Sequence, residues 1–249
     1  MTTPPHLSGD ATPQVVDPAT SPVERRLPLW EEPSMFALSR LKEAGVRLSE
    51  RRFEVGEAIY TRGDPDRHLY FLTEGALKLY KDYGGHKEAI VTLLEEGNVF
   101  GEPAPLVRGT HRDSAEAAVR SRVASVDKAA LEHHLRRDPR LTLALLFAYA
   151  QWVQRRERTI VRLAHRDIRS RLASSLSELA DRFGEQREGA VAIEVPLTHR
   201  TLADMAASSR VGVSKEMGRF RREGLIERGA KGRIVVLDKQ RLAGITRSR

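Results

Sequence analysis

The 249-residue sequence has no cysteine, few aromatic residues and no long apolar run. Without cysteine the chain forms no disulfide and offers no thiolate as a nucleophile or as a ligand for zinc or an iron–sulfur cluster. No apolar stretch approaches the roughly 18 residues that a transmembrane helix needs. Aromatic residues make up 6% and hydrophobic residues 40% of the chain, so we expect a mostly aliphatic core. These absences exclude a membrane-spanning protein and a thiol-based enzyme.

Positive charge is concentrated at the C-terminal end of the sequence. The whole chain has 42 Lys and Arg against 34 Asp and Glu, a formal net charge of +8. From Leu197 to Arg249, the 13 basic residues exceed the 5 acidic residues by eight, so this last fifth holds the entire net charge. A basic module on a neutral body is typical of a protein that binds an anionic partner, most often nucleic acid.

The N-terminal half of the sequence divides into a tail and a β-rich part. Residues 1–34, with six prolines before Pro33 and no apolar period, predict a disordered tail. The tail lacks the apolar middle of a secretion signal, so the default expectation is a cytoplasmic protein. Residues 35–137 carry short β-rich runs between Gly turns, which favours an antiparallel sandwich or barrel. The expected strands are 58–60, 69–72, 76–80, 88–94 and 115–126.

Residues 138–183 predict a long helix suited to dimerisation. Asp138 and Pro139 form a helix-start signal, and no further Gly or Pro interrupts the chain up to Phe183. A second apolar stripe on the same helix would rest on the β-rich part, and the change of pattern at Asp167 predicts a hinge. The first stripe has the heptad spacing of a coiled-coil seam between two copies of the chain. Its positions are Leu146, Ala150, Val153, Glu157, Ile160 and Ala164.

Residues 184–249 predict a winged helix–turn–helix. Thr198 is the expected N-cap of a first short helix, and Ser209 that of a second helix beginning at Arg210. A strand near 232–237 follows as the wing. The first residues of such a second helix enter the major groove, where an arginine fork bonds guanine O6 and N7. The plainer alternative is that Arg210 is a solvated surface residue.

Two motifs make the sequence resemble the Crp–Fnr family of bacterial transcription regulators. The first is Gly97-Asn98-Val99-Phe100-Gly101-Glu102, followed by Arg112, which is similar to the phosphate-binding cassette of cyclic-nucleotide domains. The second runs from Thr198 to Ile226 and aligns with the family's helix–turn–helix. The resemblance implies an α+β fold with an N-terminal β-roll (a cyclic-nucleotide-binding jelly roll), a long dimerisation helix and a C-terminal winged helix–turn–helix domain.

For double-stranded DNA, the resemblance implies that Arg210 and Lys215 read bases. Val211 stands where the family's type member has Glu, so it would touch a thymine methyl group instead of accepting from cytosine N4. We therefore expect a DNA half-site that differs at one base position from the half-site of the family's type member. The candidates for contacts to backbone phosphates are Thr198, His199 and Ser209. The residues interpreted as general basic surface are Arg219, Arg221 and Arg222.

The resemblance also implies an effector site, with cAMP or a related nucleotide as the effector; no cofactor is certain from the sequence. Glu102 would hold the ribose 2′-hydroxyl, and Arg112 would pair with the cyclic phosphate. The turn at Gly101 would add amide donors.

Three departures from the family pattern oppose nucleotide binding. Pro103 and Pro105 remove amide donors close to the cassette. Asp113 brings a carboxylate next to the expected phosphate. Arg156 and Glu157 replace a Thr-Ser pair on the long helix that contacts the base. The alternative to a nucleotide site is therefore a cassette that holds only an internal ion pair.

Several functions remain open at this point. The main hypothesis is a homodimeric regulator whose effector shifts the long helices and reorients the DNA-reading residues. The alternative is an effector-independent or architectural DNA-binding protein whose β-roll serves only dimerisation. An activator would also contact RNA polymerase, and no motif marks that surface. A haem sensor would need His68, His86 or His111, yet lone loop histidines are usually surface residues. An enzyme is disfavoured because no triad, acid pair or metal-ligand spacing is present.

Overall fold

The computed structural model describes residues 32–82, 88–101, 109–164, 167–187, 189–229 and 232–247. Within these ranges the chain forms an N-terminal β-roll, a long helix and a C-terminal winged-helix domain, so the predicted α+β class is confirmed. The predicted disordered tail lies outside the described residues up to position 31, and the first helix begins at Pro33.

The helices of the described ranges are α1 (Pro33–Glu43), α2 (Lys128–Leu135), α3 (Pro139–Ala164), α4 (Ile168–Phe183), α5 (His199–Met205), α6 (Arg210–Arg222) and α7 (Lys239–Arg247). The strands of the N-terminal part are β1 (Ser49–Phe53), β2 (Ala58–Tyr60), β3 (His68–Glu74), β4 (Ala76–Asp82), β5 (Glu88–Glu95), β6 (Val99–Phe100), β7 (Ser114–Ala117) and β8 (Ser121–Asp127). Those of the C-terminal part are β9 (Gly184–Arg187), β10 (Ala190–Ile193), β11 (Ile226–Arg228) and β12 (Ile234–Val236).

Two antiparallel four-stranded sheets make the β-roll, in the orders β1-β8-β3-β6 and β2-β7-β4-β5. The apolar side chains between them include Leu72, Leu77 and Phe100. The single strand expected over 115–126 is wrong, because the chain leaves one sheet after β7 and enters the other at β8. The sequence pattern also does not predict strand β1, since four of its five residues are exposed and polar.

Helices α1 and α3 cover the outer face of the first sheet. Leu69 and Phe71 of β3 pack there with Leu38 of α1 and Leu141 of α3. The guanidinium of Arg40 reinforces the contact at the start of α3, with Nε 2.9 Å and Nη2 2.7 Å from Asp138 Oδ2. The long helix is therefore fixed to the β-roll from its first turn.

Helix α3 has a buried side and an exposed side. Ala144 and Ala148 are buried against the β-roll. On the other side Leu146, Val153 and Ile160 are 57%, 43% and 70% exposed, at intervals of seven residues. This outer stripe coincides with the predicted seam, and its burial by a second copy stays a prediction.

The predicted break near Asp167 is confirmed. Helix α3 ends at Ala164, and α4 begins at Ile168 with Asp167 as its N-cap. The Asp167 carboxylate accepts a hydrogen bond of 2.8 Å from the Ser170 amide. Two helices meet here, so the direction of the chain can change between the long helix and the C-terminal domain.

The winged-helix domain packs α4 to α7 around a sheet in the order β11-β12-β10-β9. Leu176, Leu202 and Phe220 belong to its apolar core. Ile90 and Leu93 of β5 join the same core, so the domain sits directly on one strand of the β-roll. Among the helices of the described ranges, none combines the length and the apolar composition that a membrane span requires.

Candidate nucleic-acid interface and effector region

The helix–turn–helix is set by two capping side chains, as predicted. Thr198 Oγ1 accepts a hydrogen bond of 3.0 Å from the Thr201 amide at the start of α5. Ser209 Oγ accepts one of 3.1 Å from the Gly212 amide at the start of α6. These bonds satisfy amides that a helix leaves unpaired in its first turn, so both helix starts are well defined.

Helix α6 buries one side and presents the other to solvent. Val213 and Phe220 are fully buried in the domain core. Arg210, Val211 and Lys215 are exposed, and Val211 is 80% exposed although it is apolar. At about 100° per residue these three positions fall within an arc of roughly 140°. The structure therefore brings the three predicted base-reading side chains to one surface.

His199 lies at the junction of α5 and α6. Its Nδ1 is 2.7 Å from Ser214 Oγ, and the ring is partly buried. Burial lowers the pKa of His199 below its ordinary value, and the positive charges of Arg221, Arg210 and Arg228 lower it further. The ring is consequently neutral near pH 7 and acts through hydrogen bonding in the free protein.

A basic cleft of about 580 Å³ opens between α5, α6 and β11. Arg221, which the sequence pattern assigns to the general basic surface, lines this cleft together with Arg210. Arg221 follows Arg210 by eleven residues, which is about three helical turns, so helical spacing alone would have placed both on one side. Arg228 of β11 and Arg200 of α5 also line the cleft and had not been singled out. The candidate DNA surface is thus wider than the predicted set.

Helix α6 contains two glycines, which lie in different surroundings. A Cβ on Gly212 would lie 2.9 Å from Ile168 Cδ1, so α6 approaches α4 closely at this point. A Cβ on Gly218 would meet only Arg222 Nη1, at 3.7 Å, among the described atoms. Gly212 therefore serves the packing of the domain, whereas Gly218 leaves open space on the side of α6 that carries Arg210 and Lys215.

The predicted effector residues are only partly brought together. Asp113 Oδ2 accepts a hydrogen bond of 2.7 Å from Arg156 Nη2, which links the β-roll to α3. Gly101 has a φ of +94°, and a Cβ there would lie 3.0 Å from the Tyr70 ring. Arg112 is exposed, and Glu102 lies outside the described residues.

Glu157 lies apart from the ion pair formed by Asp113 and Arg156. It is exposed and lines a groove of about 810 Å³ between α3 and α4, together with Gln154 and Glu178. Of the two neighbouring helix positions that the resemblance assigned to the effector site, only Arg156 reaches the β-roll.

Aromatic side chains enclose the Asp113–Arg156 ion pair. The guanidinium carbon of Arg156 lies 4.0 Å from the centre of the Trp152 ring, and Tyr60 Oη lies 3.4 Å from Asp113 Oδ1. The Asp113 side chain is 5% exposed and that of Arg156 29% exposed. A carboxylate so well shielded from water is stabilised by its arginine partner, which also stacks on an aromatic face.

The histidines behave differently from the expectation for loop residues. His111 is 2% exposed, and its ring stacks on Tyr60 with 3.6 Å between centres, so the expectation of a surface residue is wrong for it. His68 is partly buried, and His86 lies outside the described residues. Within the described ranges, no group of three or more His, Asp or Glu side chains could hold a metal ion.

Two family models match the chain. The Crp-like helix-turn-helix domain matches residues 170–245, and the cyclic nucleotide-binding domain matches residues 50–138. The first match covers the helices that form the basic cleft. The second covers the β-roll and includes Asp113.

Known proteins of similar sequence are transcription regulators. A global nitrogen regulator of Synechococcus elongatus is 33% identical over 80% of this chain and 90% of its own length. A CRP-like cAMP-activated global transcriptional regulator of Mycobacterium tuberculosis is 28% identical over 77% of this chain and 85% of its own. Among solved structures, a CRP-family transcriptional regulator of Thermus thermophilus has a TM-score of 0.69 at 29% identity, covering 80% of this chain and 97% of that one.

Proposed function

Because the chain belongs to the Crp–Fnr family of transcription regulators, we propose that it binds a specific duplex DNA sequence through α6. The observation that carries this proposal is the exposed surface formed by Arg210, Val211 and Lys215 at the start of a capped helix. Arginine and lysine bond the major-groove edge of guanine, and an exposed valine suits a thymine methyl group. The predicted division is tail, β-roll, dimerisation helix and DNA-binding domain at 1–34, 35–137, 138–183 and 184–249. Because α1 begins at Pro33 and α4 packs in the winged-helix core, we propose to move the first boundary to before Pro33 and the last to before Ile168.

The phosphate contacts would come from the rim of the same surface. Thr198 and Ser209 lie at the helix starts, and His199 lies between α5 and α6. Arg221 and Arg228 add positive charge in the basic cleft. Contacts of this kind position a protein on DNA and carry no sequence information. A regulator that reads genomic DNA works in the cytoplasm of a bacterium, and the proposal assigns no catalytic residue.

We propose that two copies of the chain join along α3. The heptad positions Leu146, Val153 and Ile160 form an exposed apolar stripe that Glu157 interrupts, while the opposite side of α3 is buried on the β-roll. A second copy presents the same stripe and buries it symmetrically. The two α6 helices would then read half-sites about one helical turn apart. Sedimentation should give a dimer, and Ile160→Glu should give a monomer; a wild-type monomer at micromolar concentration would contradict the proposal.

Two candidate functions concern the β-roll and whether a bound effector controls the protein. The cyclic nucleotide-binding family match and the cAMP-activated relative support control by cAMP or a related nucleotide. In that case Gly101, Glu102 and Arg112 would hold the ligand, and its binding would shift the dimer between two states.

The ion pair between Asp113 and Arg156 supports the second candidate, an effector-independent regulator. It joins the β-roll to α3, which are the two parts that a nucleotide in this region would also join. Arg156 already has an anionic partner, and the Asp113 carboxylate would repel a phosphate placed beside it. We therefore favour a protein in which this connection is permanent.

One experiment tests DNA reading and the role of the effector together. DNA bound by the full-length protein is selected in vitro from a random pool, with and without millimolar cAMP or cGMP. We expect a near-palindromic operator in both arms, and failure to enrich any sequence would overturn the proposed function. Enrichment only in the presence of nucleotide, together with heat of binding in calorimetry, would replace the effector-independent candidate with the nucleotide-controlled one.

A further inference from the structure

The buried side of helix α6 faces away from the surface formed by Arg210, Val211 and Lys215, and it contacts α4. Glu216, Phe220 and Glu223 lie on this side, at intervals of four and three residues. By helical geometry it is opposite to the side that carries Arg210 and Lys215. Arg169, the second residue of α4, meets all three of these side chains.

The contacts of Arg169 span two turns of α6. Its Nη2 lies 2.5 Å from Glu223 Oε2, and its Nη1 lies 3.6 Å from Glu216 Oε2. The guanidinium carbon lies 5.0 Å from the centre of the Phe220 ring. The hydrogen bond from Arg169 lowers the pKa of the Glu223 carboxyl, so the carboxylate is charged at neutral pH.

Two anchor points fix a helix better than one. Glu216 and Glu223 are seven residues apart, which corresponds to about 10 Å along the helix axis. A rotation or slide of α6 against α4 would lengthen at least one of the two contacts. Among the described residues, Glu216 Oε2 is buried without a hydrogen-bond partner, so Arg169 supplies the nearby positive charge that it needs.

We propose that Arg169 is a positioning residue for DNA reading, which sets the orientation of α6 on α4 by holding Glu216 and Glu223. It lies behind the recognition helix and does not touch DNA itself. Arg169 lies five residues after Ala164, the last residue of α3. A change in the angle between α3 and α4 would therefore move Arg169 and, through its two carboxylate contacts, helix α6. The inference rests on the proposed DNA-binding function.

The test measures sequence discrimination, defined as the ratio of the Kd for random DNA to the Kd for the selected operator. Arg169→Met keeps an aliphatic stem over Phe220 and removes the charge. We expect the full-length variant to stay folded and dimeric, with unchanged affinity for random DNA and discrimination lowered about tenfold. A loss of general stability alone would not change this ratio.

Arg219→Ala is the matched control. Arg219 pairs with the same two carboxylates from the outside, with Nη1 4.0 Å from Glu216 Oε1 and Nε 3.4 Å from Glu223 Oε1. It belongs to α6 itself and makes no link to α4 in these contacts. The control should keep the wild-type discrimination, and an equal loss in both variants would overturn the proposal.

A second set of variants keeps the inference testable if Arg169→Met does not fold. Glu223→Gln weakens only the contact nearer the surface and should lower discrimination partially, whereas Arg169→Lys should retain part of it. Unchanged discrimination in a folded Arg169→Met or Glu223→Gln protein would overturn the positioning role. If the wild type itself selects no operator, the proposed function fails instead, and the two failures are distinguishable.

Discussion

Asp113 of the β-roll and Arg156 of the long helix form a direct ion pair, with 2.7 Å between the guanidinium nitrogen and the carboxylate oxygen. The two residues are 43 positions apart in the sequence. Because the carboxylate is buried and the guanidinium stacks on Trp152, solvent screens this pair much less than a surface pair. The pair therefore ties the β-roll to the long helix by charge as well as by apolar packing.

Breaking this pair should cost stability. Arg156→Met leaves the Asp113 carboxylate buried without its cation, and we expect the free energy of unfolding to fall by about 1–3 kcal/mol. Urea denaturation measures the change, and Asp113→Asn added to Arg156→Met should recover part of it. Arg136→Met is the control, since Arg136 pairs with Glu132 at a site where its side chain is 78% exposed. Equal losses in Arg156→Met and Arg136→Met would contradict the structural role.

Arg210 should discriminate at one guanine of the operator. Arg210→Ala removes a fork that bonds O6 and N7, so binding to the selected operator should weaken by about 1–3 kcal/mol relative to an operator changed at that base. Competition binding with the two DNAs measures the difference. Arg187→Ala, which removes an exposed charge on β9 in the same domain, serves as the control. Equal weakening on operator and random DNA would remove the reading role of Arg210.

Val211 should determine the base at the neighbouring position. Val211→Glu replaces a methyl contact with an acceptor for cytosine N4, so the selected sequence should change from thymine toward cytosine there. Selection repeated with the variant protein reads out the change directly. The side chain is 80% exposed, so the substitution should leave the melting temperature close to that of the wild type. An unchanged operator would mean that Val211 does not face a base.

His199 should make DNA binding depend on pH. Burial and three nearby arginines hold the pKa of His199 below its ordinary value of about 6.5. In the free protein the lowered pKa of His199 stabilises the folded state above about pH 6.5. This stabilisation is lost as the pH falls, because the unfolded chain takes up the proton first. A DNA phosphate beside the ring favours the charged form instead, so operator affinity should rise between about pH 7.5 and pH 5.5. Parallel curves for the wild type and His199→Gln would contradict this.

Gly218 should trade stability for close approach to DNA. Gly218→Ala puts a good helix former in α6 where the added Cβ meets no close neighbour in the described structure, so the free energy of unfolding should rise by about 1 kcal/mol. The Cβ would project from the reading side, and operator binding should weaken. Thermal unfolding and Kd measured on one preparation check both effects. Gain of stability with unchanged Kd would show that α6 does not lie close to DNA at Gly218.

Much of the fold follows from local sequence patterns. The caps at Thr198 and Ser209, the uninterrupted run from Pro139 and the change of pattern at Asp167 each predict a helix boundary that the structure contains. The sequence pattern does not predict strand β1, because four of its five residues are polar and exposed, and its place in the sheet comes from pairing with β8. The division of 115–126 into two strands depends on a crossing between sheets that no local pattern records.

In the candidate sites, too, some residues could be predicted from the sequence and others could not. Arg210 could be found because the sequence places it directly after the N-cap Ser209, at the exposed start of α6. The partner of Asp113 could not be found, since Arg156 is far away in sequence and their contact depends on how α3 lies on the β-roll. Arg169 likewise has no motif, because its role arises from two carboxylates on a different helix.

Ile90 and Leu93 on β5 give the molecule a thermal sensitivity. They are 5% and 2% exposed because the winged-helix domain covers them. Turning that domain away would hydrate both side chains, and hydration of apolar surface raises the heat capacity. Since hydrophobic association weakens on cooling, cold would favour the detached arrangement and warmth the seated one. Any movement that lifts the winged-helix domain off β5 should therefore be easier in the cold than in the warm.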